Sequence, residues 1–215
     1  MAPDWFRKNS WSEEDQAAFW QRLSRARKDN HPQYVFIQGH TLMAAGPKYR
    51  TNALTLFDYV IDHYPDSLSY VQALSAKADY LSTTEDVEGA LLYYDRAIRQ
   101  MRIMPNNKTW AWIDFVWLIA MKKLSDRYET ALDVLNEFGK SAQIFPLAVF
   151  RLHACRALIQ SDRGLPEVAA SAARLALEAA DKVTSGLRYH QTLGLVGPNY
   201  DVIRTRLRAI ARPLS

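Results

Sequence analysis

Cysteine is nearly missing from this chain: Cys155 is the one thiol in 215 residues. No internal disulfide can form and no cysteine-based zinc site is available, which suits a reducing compartment. Long apolar runs are lacking too. The longest, WAWIDFVWLIAM from Trp110 to Met121, contains Asp114 and falls short of the roughly 20 residues a membrane-spanning helix needs. It predicts a buried helix, and no membrane partner is expected. The first residues, MAPDWFRKNSWSEEDQ, are interrupted by polar side chains too often to form the apolar core of a signal peptide, so a cytoplasmic protein is the expectation.

Strand signals are absent: no stretch alternates with period two between hairpin turns. Catalytic constellations are absent as well. The five histidines lie in separate segments without HExxH-type spacing, and no pair of acids stands out as a catalytic couple. His153 and Cys155 are two apart on a helical stretch, which points them to different faces. GLVGPNY (194–200) lacks the lysine and the strand-to-helix setting of a phosphate loop, and reads as a turn between helices. The expectation is a protein that is not an enzyme, with no catalytic residues, no cofactor and no metal. An enzyme with an unrecognised site is the weaker alternative.

What is present is helical periodicity almost everywhere. Ser12 is placed to cap a helix carrying Phe19, Trp20 and Leu23 on one face, with acids in its first turn. Break signals such as AGPK (45–48), STTED (82–86), LSD (124–126) and SDRGLP (161–166) cut the chain into helices of roughly 10–18 residues. Within these, an order recurs: a small residue, a bulky or small one four places on, and another three beyond that. It reads Ala53, Phe57, Val60; then Ala90, Tyr94, Ala97; then Ala131, Leu135, Phe138; then Ala169, Ala173, Ala176. The leading alanines are 37, 41 and 38 residues apart. Where two antiparallel helices cross closely the contact residue must be small, so the period predicts four helical hairpins.

The YETAL of residues 128–132, the DHYPDS closing the first unit and the DRGLPEVA turn resemble the tetratricopeptide repeat family over about Tyr34 to Asp181. The spacing is longer than that family's ~34 residues, and its tryptophan and glycine placement in the first helices is missing. The resemblance implies an all-α, right-handed α-solenoid of about four stacked hairpins in a single domain. Residues 1–32 form an arm and helix, 33–183 the repeats, and 184–215 the C-terminal capping helices.

The function such an array implies is a scaffold or adaptor that binds a protein or peptide in a concave groove. By register with Ala131, the groove wall of the third unit carries Ile113, Val116 and Ala120. Residues 51–100 hold eight acids against three basic residues, so a basic partner segment is expected to meet this part through Asp79. The last segment, YDVIRTRLRAIARPLS, sets Val202, Ile203, Leu207 and Ile210 as an apolar stripe against arginines on its other faces. It reads first as a capping helix. The alternative is a basic docking surface, Arg204 and Arg208, for nucleic acid, anionic lipid or an acidic protein patch; the acidic middle repels a phosphate backbone and makes nucleic acid unlikely. The aromatic arm, with Trp5 and Phe6, is expected to fold back over the first unit.

Overall fold

In the computed structural model, residues 4–141 and 145–212 are described, and among them there are ten α-helices and no strand. The chain divides into two compact units, Met1–Ala111 and Trp112–Ser215. No helix among the described residues is long and apolar enough to cross a membrane.

The first unit opens with the arm and α1 (Glu13–Arg25), capped by Ser12, whose hydroxyl accepts from the Asp15 N–H while the Asp15 carboxylate accepts from the Ser12 N–H. This reciprocal box satisfies two donors that a helix start leaves open. The arm does fold back. Trp5 lies 5.4 Å from Phe19 and 5.1 Å from Tyr34, ring centre to ring centre, and Phe6 lies 4.6 Å from Tyr34. Gln38, wholly buried, locks it: its carboxamide accepts from the Lys8 N–H at 3.0 Å and donates to the Lys8 carbonyl at 2.7 Å. A buried amide paired at both its oxygen and its nitrogen offsets much of the desolvation cost it would otherwise carry.

Two hairpins follow in this unit, α2 (His31–Ala44) with α3 (Arg50–His63), and α4 (Leu68–Ser82) with α5 (Val87–Ile103). Helices α2 and α3 pack together, as do α4 and α5, and α3 packs on α4. At the first crossing Gly39 has no room for a side chain: a Cβ there would sit 2.9 Å from the Phe57 ring and 3.2 Å from Leu56.

The second unit holds α6 (Ala111–Lys122), α7 (Tyr128–Phe138), α8 (Pro146–Asp162), α9 (Pro166–Ala180) and α10 (Asp201–Ile210). Trp112 of α6 stacks on Phe138 of α7, and α8 packs on α9. The α8–α9 crossing is built almost wholly from alanine: Ala154 and Ala157 meet Ala172, Ala173 and Ala176 in one buried cluster.

The recurring alanines take one structural position. Helices α3, α5, α7 and α9 begin at residues 50, 87, 128 and 166, so Ala53, Ala90, Ala131 and Ala169 are each the fourth residue of a hairpin's second helix. All four are fully buried, and so are the residues four and seven places on in each helix, Phe57 to Ala176, apart from traces of surface. Small residues there let the partner helix approach, and the following turns fill the space beyond.

Helix α10 closes the end of α8–α9. Leu207 is fully buried in that alanine cluster, with Ile203 and Ile210 against it. Val202 departs from the expected stripe, since it is 81% exposed. Residues 203, 207 and 210 follow the i, i+4, i+7 spacing of one face, and 202 lies a full 100° from 203. The last three residues of the segment lie outside the described residues.

Candidate functional site

Helix α6 is apolar on nearly every side, so burial alone decides which side is left accessible. Ile113, Val116 and Ala120 are buried in the core. Asp114, Trp117 and Met121, one residue further along, are half-buried, and Trp117 packs on the cluster formed by α8, α9 and α10. The physical reason is that the face richest in branched side chains is the one drawn inward, and the helix tolerates its one acid only where water or a partner charge is near.

That partner charge is Arg151 of α8, whose Nη2 donates to Oδ1 of Asp114 at 2.6 Å. The same guanidinium lies 4.9 Å from the centre of the Trp117 ring, a cation–π distance. Trp117 and Phe150 in turn meet the edge of Tyr200, at 5.6 and 5.3 Å. Helices α6 and α8 are thus joined by a charged pair with an aromatic surround, and the turn before α10 leans on it.

Burial pushes the Asp114 carboxyl above its ordinary pKa, and the charge of Arg151 works the other way. For Arg151, burial opposes the charge, while Asp114 holds it in place and the net direction is up. The Nε of Arg151 is buried with no hydrogen-bond partner. A guanidinium has five donors in a rigid fork, and here one is given to a carboxylate while another is left unused.

Cys155, one turn along α8, is fully buried and its thiol is pushed up to about 12 by burial, with Arg151 pulling it down and Asp114 raising it further. Such a thiol is protonated at neutral pH and is a packing residue. His153 lies half-buried, on a different face from Cys155 as its spacing implies. Burial, and then the charge of Arg156, hold its imidazole below the ordinary value.

The other expected site residues are dispersed. Asp79 is on the exposed side of α4 in the first unit, and its Oδ1 accepts from the Tyr94 hydroxyl of α5 at 2.8 Å. Asp58 of α3 is matched by Lys77, whose ammonium also lies 4.4 Å from the Tyr93 ring centre. In the C-terminal helix Arg208 is exposed. Arg204 is committed within the fold: it reaches Asp181 at 3.0 Å and Asp201 at 3.3 Å. Arg206 likewise reaches Asp162, which also accepts from the Tyr128 hydroxyl at 2.9 Å. Sequence reasoning missed this role of Asp162, which ties α7 and α10 to the end of α8.

No protein-family model, curated protein or solved structure matches this chain.

Proposed function

We propose that the protein is a cytoplasmic, tetratricopeptide-like helical-repeat scaffold that holds a peptide or protein partner and catalyses no reaction. The observation that carries this is the shared position of Ala53, Ala90, Ala131 and Ala169 in the second helices of the hairpins, and the half-buried Met121 at the end of α6 is the contact it offers a partner. Stacked helical hairpins build extended surfaces of the kind that hold a peptide or protein segment. The repeated position of the four alanines supports the family resemblance. The buried thiol of Cys155, and a half-buried His153 whose neighbouring charge is a cation, favour binding over nucleophilic or acid–base chemistry.

Nucleic-acid binding through the C-terminal helix ranks behind this. Two of its arginines, Arg204 and Arg206, already face carboxylates, which lowers the positive charge free to displace counterions from phosphate. Co-purification from the native host tests the proposal, comparing the wild-type chain with Met121→Asp and with Glu129→Lys as an exposed control. A discrete protein lost with Met121→Asp and kept with the control is expected. Equal recovery with both variants, or recovery of nucleic acid alone, contradicts it.

A further inference from the structure

A second feature of the second unit lies away from the α6 face. Between the C-terminal end of α7 and the middle of α8 is a cleft of about 240 Å³. Its polar lining comes from Asn136 on α7, Lys140 in the 3-10 turn that follows it, and His153 and Arg156, three apart on α8. His153 and Arg156 share one face of α8, and Arg156 meets Asn136 across the cleft. None of the described residues lining it is acidic.

The cations exceed what the fold itself requires. The C-terminus of a helix carries about half a negative unit charge, which Lys140 alone offsets. Arg156 has no carboxylate partner among the described residues; its Nη2 donates to Oδ1 of Asn136 at 2.9 Å. This contact fixes the guanidinium and leaves the Asn136 amide group able to donate elsewhere. His153 adds a third group. Its Nδ1 is buried with no partner among the described residues, and since a buried orphan acceptor costs less than a buried orphan N–H, we assign the proton to Nε2. The backbone permits the cleft at one tight point: a Cβ on Gly139 would stand 2.4 Å from Cδ1 of Leu152.

We propose that this cleft binds a small phosphate monoester, with Arg156 and Lys140 opposing its charge and the Asn136 amide and His153 Nε2–H donating to its oxygens. A phosphate monoester carries about −1.5 to −2 charge and three acceptor oxygens, which answers two cations and two neutral donors better than a carboxylate does. The volume is below the roughly 300–1,000 Å³ of pockets for drug-sized ligands, so the organic part is compact. Leu135, Val149 and Leu152 offer it an apolar floor.

The test is an NMR titration of the full chain with phenyl phosphate, with phenylacetate and inorganic phosphate as separate arms. Saturable shifts confined to the His153 ring and the amides of residues 136–140 and 152–156 are expected with phenyl phosphate. Phenylacetate should bind at least tenfold more weakly, and inorganic phosphate more weakly than phenyl phosphate. Arg156→Met and Lys140→Met, both checked for an unchanged melting temperature, should each weaken phenyl phosphate about tenfold. Shifts that do not saturate, that spread over exposed lysines and arginines elsewhere, or that are the same in both variants would overturn the proposal.

Discussion

The Arg151 guanidinium meets Asp114 Oδ1 at 2.6 Å while its own Nε stays buried and unpartnered. A pair of this kind is costly to break from one side, because the remaining charge is left without compensation. Asp114→Leu alone is expected to cost on the order of 3 kcal/mol, at the low end of the usual range because the carboxylate side chain remains 24% exposed. The double variant Asp114→Leu/Arg151→Met should recover most of that loss. Urea melts of the three variants measure the coupling, and a double variant no more stable than the single would show that the two residues act independently.

The N-terminal arm is held partly by charge. Hydrogen bonds from Lys8, Ser10 and Ser12 hold the Asp15 carboxyl well below its ordinary pKa. A carboxyl depressed in the folded state contributes stability that is present above its unfolded pKa and lost as pH falls through the folded one. The protection factor of the Lys8 amide, its exchange rate relative to the intrinsic rate at the same pH, should therefore fall as the pH is lowered below about 4. In Asp15→Asn that acid-dependent step should be missing. Identical pH profiles for the two chains would contradict it.

Cys155 gives a probe of opening. Its thiol is fully buried and pushed up to about 12, so a disulfide reagent at pH 8 should react only at the rate at which α8 opens. Urea below the unfolding transition should speed the reaction, and immediate modification in native buffer would show that the thiol is accessible.

The parts of the structure legible in the sequence are those set by local spacing. The alanine period located the second helix of every hairpin, and Ser12 located the first cap, because small contacts and caps recur at fixed helical positions. On α6, Ile113, Val116 and Ala120 are buried, while Asp114, Trp117 and Met121 are half-buried. In a helix apolar all round periodicity carries little information, and Asp114, its one acid, was the usable signal. Gln38 with Lys8, and Asp162 with Tyr128 and Arg206, join residues 30 or more apart. No spacing rule announces such partners, since they are chosen by how the helices pack.

Whether the hairpins carry the protein's organisation is tested by one set of urea melts. Leucine is placed at the four recurring alanines, Ala53, Ala90, Ala131 and Ala169, and separately two residues on, as Thr55→Leu, Asp133→Leu and Ser171→Leu. Position 92 already holds an exposed leucine, so the site two residues on accepts one naturally in the second hairpin. Overpacking a close helix crossing costs about 1–3 kcal/mol, and each alanine variant should lose that much. The exposed variants should stay within about 0.5 kcal/mol of the parent. Alanine variants as stable as the parent, or losses equal at both sets of positions, would contradict a repeat built on those four crossings.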